Sequence, residues 1–480
     1  MRRIIINEND ITSNVEVLSS YDVAYVPGFC ATPGKAEVFY KKPTLFTNKY
    51  TFLQSMGTTV PVFAKAQAYP VATEEVEGFG EDAIPKVGEV AENMFEAGDA
   101  DTGYRIALYL LSLGIPVYYD VMNNALADDE HDETVRGITV ENMYKGLKER
   151  FSIGADTSFD TPGDYAIKFI TTGGYPSFEY GTLTTKQVGG SPVKVVAMSL
   201  MTSLLSVAAS RGDSIALIDH TNNPYRKLAE TNTTSVISHM RNDCSNMDNM
   251  QFGAMFTPWY SCSHDYIVNG SKSNFLPGSI GYLSSLAVQI RDYNPWLAVS
   301  GVTRGKVPNL VDLHTGSEQL TNNIADSFQM IPSETVNNDI AISINPITYI
   351  RNVGYCIWGN RTLRINSSGT VASSFLNIRS AVSDIKKIIY ENSQNTLFEQ
   401  NTDVTWLNFK NGVTPLLDRM VSNYILTDYS IERYVNDPET GDPVPAYKVL
   451  GVVRVQPINS IEVIDLTVQI ENSNISSMEF

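Results

Sequence analysis

Five histidines, His131, His220, His239, His264 and His314, bound the acid–base chemistry that this chain of 480 residues can support. Asp219-His220 ends an apolar run, Ile215 to Ile218, that reads as a strand. In α/β folds functional groups gather at strand ends, so this pair is the best catalytic candidate. His264-Asp265 is a second. A serine hydrolase also needs an activated nucleophile, and the GxSxG elbow is absent. Gly278-Ser279, or His314 with Ser317, completes a triad on paper only, because a chain this rich in Ser produces such combinations by coincidence. No phosphate loop of the GxxxxGKS or GxxxxGKT type, no GxGxxG fingerprint and no HExxH pair occurs, and Gly173-Gly174 and Gly189-Gly190 read as turns. The carboxylates of Asp128, Asp129, Glu130, Asp132 and Glu133 could attract calcium, but EF-hand spacing with its central Gly is missing. Cys30, Cys244, Cys262 and Cys356 form no CxxC pair and fit no zinc spacing, so they read as buried free thiols in a reducing compartment. The expectation is a protein with no enzyme activity, no catalytic or metal site and no cofactor.

The composition points the same way. A net charge of -18 repels a phosphate backbone, which argues against direct nucleic-acid binding. Charged residues are 18% of the chain, against about 25% in ordinary globular proteins. Asn, Ser and Thr take their place, as suits a surface covered by copies of the same chain. The opening run Ile4-Ile5-Ile6 is too short for a secretory core, and Val193 to Ala209 is too short to span a bilayer and reads as a buried helix. Synthesis in a cytoplasm without membrane insertion is expected.

The elements that would position these residues alternate. Ala24-Tyr25-Val26 reads as a strand that turns at Pro27-Gly28. Thr102 opens a helix with apolar positions Ile106, Leu110 and Leu113, Gly114 ends it, and the strand Ile115 to Val121 follows. The helix Val193 to Ala209 precedes the strand Ile215 to Ile218, and a helix at Thr233 to Met240 precedes a strand at Phe252 to Phe256. Helix then strand, repeated, implies an α/β fold with a largely parallel sheet. Residues 73–101 carry ten acidic side chains against Lys86 alone and read as a solvated acidic loop; residues 125–190 read as a β-rich insertion. Beyond Asn345-Pro346 the texture changes. Phe375, Ile378, Val382, Ile385 and Ile389 share one helix face, a second helix covers Val413 to Val421, and strands at Tyr424–Val435 and Val449–Val455 flank a turn. This gives an N-terminal arm at 1–20, an α/β domain at 21–345, a smaller α+β domain at 346–458 and a C-terminal arm at 459–480. The arms alternate like strands, through Ile4, Ile6, Val15 and Val17 at one end and Leu466, Val468 and Ile470 at the other.

Several short motifs follow one another in order. They are Ile344-Asn345-Pro346-Ile347, then Trp358-Gly359-Asn360-Arg361-Thr362-Leu363, then Asn377-Ile378-Arg379, then Phe398-Glu399-Gln400-Asn401 with Thr405-Trp406. Earlier, Arg211-Gly212-Asp213 leads into the strand ending at Asp219, Pro277-Gly278-Ser279, Arg291-Asp292, Pro295-Trp296 and Arg304-Gly305 follow, and Pro43-Thr44-Leu45-Phe46 and Gly103-Tyr104-Arg105 lie near the start. This series resembles the contractile phage tail sheath family, with Ser380 standing where that family has a second Arg. The resemblance implies a subtilisin-like α/β domain without catalysis, a C-terminal α+β domain, and terminal arms that add strands to neighbouring subunits. It implies hexameric rings stacked around a tail tube that contract to drive the tube through a host envelope. The partners it implies are further copies of the chain, a tail tube protein, and baseplate and tail terminator proteins, in a virion tail or a phage-like injection device. Asn345, Pro346, Trp358, Gly359, Arg361, Thr362, Arg379, Asn401 and Trp406 would then be structural.

Overall fold

A computed structural model describes residues 22–62, 67–77, 84–95, 100–124, 138, 140–154, 159–160, 165–174, 182–188, 191–197, 200–219, 249–265, 275–314, 344–364, 372–438 and 440–458. At its centre is a mixed eight-stranded sheet. The strand order is Gly354–Ile357, Ile344–Ile350, Gly253–Thr257, Ile215–Asp219, Phe169–Ile170, Ala24–Gly28, Val117–Val121, Thr44–Phe46. The inner six strands run parallel. Each outer strand runs antiparallel to its neighbour. Parallel neighbours need long crossovers, and helices supply them.

A strand turns successive side chains to opposite faces, and both faces of this sheet are covered. Ala24, Val26, Val117, Tyr119, Ile215 and Leu217 enter one core, against Ile106 and Leu110 of helix Thr102–Ser112 and Ile280 and Leu283 of helix Gly278–Asp292. Tyr25, Ile170, Ala216, Ile218 and Met255 enter the other, against Leu204, Leu205 and Ala208 of helix Leu200–Arg211. A third core lies beyond the sheet. There Ala381 and Ile385 of helix Leu376–Thr396 meet Leu416, Leu417 and Met420 of helix Asp403–Ser422 and Val453 and Val455 of a two-stranded hairpin, Leu426–Tyr434 with Leu450–Pro457.

The expected α/β alternation is present, with differences that have physical reasons. The chain does not turn at Pro27-Gly28, because strand Ala24–Gly28 continues through both residues. Gly28 is there for space: a Cβ on it would sit 2.1 Å from the Tyr119 hydroxyl. Gly103, at the start of its helix, brings that helix against the same strand, since its Cβ would lie 2.1 Å from the Pro27 carbonyl oxygen. The acidic stretch is not simply a loop. Gln67–Glu77 and Ile84–Phe95 pair as an antiparallel hairpin, with register shifts after Ala68 and Ala72. Charge count reports solvation, whereas Val71, Thr73, Val76, Val87 and Val90 carry the β preference. The expected helix from Val193 begins as a strand, Ser191–Ala197, paired with Thr182–Val188, and becomes helical at Leu200. Its β-branched Val193, Val195 and Val196 explain the change.

The stretch 125–190 holds helix Val140–Arg150 and, in Phe169–Ile170, a strand at the middle of the sheet. The boundary at 346 falls inside strand Ile344–Ile350. The second C-terminal helix starts ten residues earlier than the apolar pattern suggests, at Asp403, where the Thr402 side chain accepts a hydrogen bond from the Thr405 amide as its cap. Both arms, the helix at Thr233 to Met240, and His131, His220, His239, Cys244 and Ser317 lie outside the described residues.

Candidate functional site

Of the catalytic candidates, Asp219 and Ser279 are engaged with each other. Asp219 ends its strand, 5% exposed. Its two oxygens accept from the Ser279 amide at 2.8 Å and from the Ser279 hydroxyl at 2.6 Å. Ser279 is itself buried, in the first turn of helix Gly278–Asp292, so the carboxylate caps the positive end of that helix. Burial pushes the Asp219 carboxyl up to about 7, against the pull of the two Ser279 donors. A hydroxyl that donates to a carboxylate is not a serine deprotonated by an imidazole. His264 sits elsewhere in the fold, with Nε2 3.3 Å from the Ser112 hydroxyl and its ring 4.9 Å from that of Tyr109. Burial lowers its pKa. His314 lies opposite Trp259 in an antiparallel pair, and Ser317 lies outside the described residues. Cys30, Cys262 and Cys356 are buried free thiols. Among the described residues no group of three metal-ligating side chains forms.

The motif residues, by contrast, converge. Asn345 is fully buried within the sheet. Its Nδ2 donates to the carbonyls of Met255, at 3.1 Å, and Arg361, at 2.8 Å. Its Oδ1 accepts from the Arg361 amide at 2.8 Å. One side chain thus fastens the segment after the edge strand onto the sheet. Gly359 leaves room for it, since a Cβ there would lie 2.7 Å from Asn345 Oδ1. The Trp358 amide donates to the Pro346 carbonyl, while the indole is 42% exposed. The next residues reach the C-terminal helix. Asn360 and Asn377 exchange hydrogen bonds, Nδ2 to Oδ1 at 2.7 Å and the Asn377 amide to Asn360 Oδ1 at 3.2 Å. The Thr362 amide and hydroxyl donate to the carbonyls of Ser374 and Ser373. The Arg361 guanidinium lies over the Phe375 ring at 4.4 Å. Arg379, buried one turn into the helix, donates to the Gly212 carbonyl at 2.8 Å and stacks on Phe252 at 4.3 Å.

The third core has its own fasteners. Asn401 donates to the Ala446 carbonyl and accepts from Arg433, each at 2.7 Å. Trp406 stacks on Phe409 at 5.3 Å and presses on Gly451, whose Cβ would lie 2.8 Å from the indole. The described motif residues therefore form two joints, one tying the sheet to helix Leu376–Thr396 and one tying helix Asp403–Ser422 to the hairpin. Trp296, in the series Pro295-Trp296, is one partner of that first helix that the motifs include, whereas no motif pointed to its partners on the sheet side, Lys168 and Asp22. The one available signal was its polar side, which a pattern alone reads as solvated.

No family model and no curated protein matches the sequence. Solved structures do. A chain of the contracted sheath complex of the extracellular contractile injection system PVC superposes with a TM-score of 0.53 at 12% identity, covering 98% of both chains. A chain of the contracted anti-feeding prophage (AFP) baseplate gives a TM-score of 0.51 at 15% identity, covering 98% of this chain and 99% of the other. The structural neighbours are thus components of contractile injection systems, sheath among them, and the likeness is one of fold over nearly the full length.

Proposed function

We propose that the chain is the structural subunit of a contractile tail sheath. The observation that carries this reading is the near-complete coverage of a sheath fold by a chain whose ordered motifs form that fold's internal joints. In this reading copies of the chain stack as hexameric rings around a tail tube, bounded by baseplate and terminator proteins, and contraction repacks rigid subunits into a second arrangement. The central domain is a subtilisin-like scaffold without catalysis. A strand rises ~3.3 Å per residue, so an arm of about 20 residues reaches ~65 Å, far enough to enter a neighbour. Arms 1–20 and 459–480, through Ile4, Ile6, Val15, Val17, Leu466, Val468 and Ile470, add strands to adjacent subunits. The hairpin Leu426–Tyr434 with Leu450–Pro457 is a two-stranded sheet of the kind that such additions complete. Burying Leu466, Val468 and Ile470 contributes roughly 5 kcal/mol per junction before the entropy of ordering is subtracted.

Electron microscopy tests the reading. The purified chain should form tubes of stacked rings, and a chain lacking residues 459–480 should keep its circular dichroism spectrum and sediment as unassembled protein. A strictly monomeric full chain at high concentration refutes the assembly, and tubes from the truncated chain refute strand donation. The similarity to an extracellular injection system favours a second setting, a phage-like particle without a genome. Nucleic acid in the native particle decides for a phage tail.

A further inference from the structure

Helix Leu376–Thr396 docks on the sheet with its polar side. At about 100° per residue, Arg379, Ser380, Ser383, Asp384, Lys386 and Lys387 fall on one side, and Ile378, Ala381, Ile385, Ile388 and Ile389 on the other. On the apolar side Ala381, Ile385, Ile388 and Ile389 close the third core, which also holds Trp296 and Leu297. The polar side is buried too, against the body of the sheet. Asp384 accepts from Lys168 Nζ and from the Trp296 indole N–H, both at 2.8 Å. Lys168 also pairs with Asp22, and its side chain is 1% exposed. Burial works against that charge, but the carboxylates of Asp22 and Asp384 hold it protonated. Lys387 donates to the Ile167 carbonyl at 3.1 Å. The seam does not satisfy all its own groups: the hydroxyls of Ser380 and Ser383 are buried in it with no hydrogen-bond partner among the described residues.

An apolar contact loses its driving force when it opens. A seam of buried charge and unsatisfied hydroxyls regains hydration, so it resists opening far less than the cores on either side. We propose that helices Leu376–Thr396 and Asp403–Ser422 with their hairpin, and with Trp296 and Leu297 packed in their core, form one rigid piece that swings from the sheet along this charged stripe about Leu376, which stays in the sheet's own core. Lys168, between two carboxylates, is the group that holds the piece in register.

The test is site-resolved thiol labelling of the unassembled full chain, so its result is independent of whether tubes form. Ser383→Cys, in a Cys244→Ser background, places a near-isosteric reporter in the seam, and the native buried thiols Cys30, Cys262 and Cys356 report opening of the body. The reporter thiol in the seam should react at least ~100-fold faster than these native thiols under native conditions, with the amides of helix Asp403–Ser422 still protected from hydrogen exchange. Adding Lys168→Met should accelerate the reporter alone by a further ~10-fold or more. Equal rates at all four thiols, or an equal acceleration of all four by Lys168→Met, overturn the proposal. If Lys168→Met does not fold, the rate ratio in the chain that keeps Lys168 decides alone.

Discussion

Asn345 offers the sharpest perturbation. Leucine has the same number and branching of side-chain heavy atoms, so Asn345→Leu removes hydrogen bonds without opening a cavity. Three bonds go: two donated by Nδ2 to the carbonyls of Met255 and Arg361, and one accepted from the Arg361 amide. At a net ~1 kcal/mol each, their loss costs about 3 kcal/mol. The groups left behind are buried backbone, and each orphan adds its own desolvation, so the cost rises toward ~5 kcal/mol. Single substitutions of that size belong to a short list of mechanisms, of which an orphaned buried network is one. Urea unfolding of the unassembled chain, followed by circular dichroism, measures it as a shift in midpoint at unchanged slope. Trp358→Ala, thirteen positions on and with a half-exposed indole, is the control and should cost under ~1 kcal/mol. A shift below about 1 kcal/mol for Asn345→Leu refutes the claim that this side chain fastens the segment to the sheet.

Other outcomes follow from the same geometry. Asp219 has a carboxyl held up to about 7 by burial, above its usual 3.8, so its contribution is complete below the usual value and is lost as pH rises toward 7. Asp219→Asn should flatten the dependence of stability on pH across that window, and an unchanged slope between pH 4 and 7 sinks the assignment. Ser279 is buried and its hydroxyl is committed to Asp219, so a fluorophosphonate probe should leave it unlabelled, as mass spectrometry of the intact chain would show. Gly103→Ala forces helix Thr102–Ser112 off the Pro27 carbonyl and should cost about 1–3 kcal/mol in thermal or urea unfolding; a neutral result means the helix moves freely.

Much of this fold was legible because the chain repeats one simple relation. The strands around Tyr25, Val117 and Ile215 are short apolar runs next to helix patterns, and each was read close to where it lies. The readings that missed share a cause. Pro27-Gly28 carries turn residues, but the glycine answers to Tyr119, ninety-one positions away. The acidic stretch carries solvation signals, and its backbone pairs all the same. Val193 to Ala197 is apolar in a way that periodicity alone assigns to helix or strand with equal ease. Contacts decided each case, and a linear pattern does not contain contacts. The same holds for the joints. Asn345, Gly359 and Asn377 stood out as a series, but their series says nothing about which carbonyl each amide reaches. Lys168 had no marker at all.

At the end of strand Ile215–Asp219 the residues that raised the question of chemistry are engaged with one another. The carboxyl ends of parallel strands are where α/β folds gather reactive groups, because helix N-termini and loops converge there over a crevice. Here that place is occupied by the protein itself. Asp219 is turned onto a helix end that it caps, and Ser279 spends its hydroxyl on the same carboxylate. Next to it, strand Gly253–Thr257 gives the Met255 carbonyl to Asn345. These groups fix one helix and the segment that follows the edge strand. In the proposed sheath, a subunit that keeps its shape while its contacts with neighbours change has use for such rigidity, and the proposed opening of the charged seam beneath helix Leu376–Thr396 would interrupt it there.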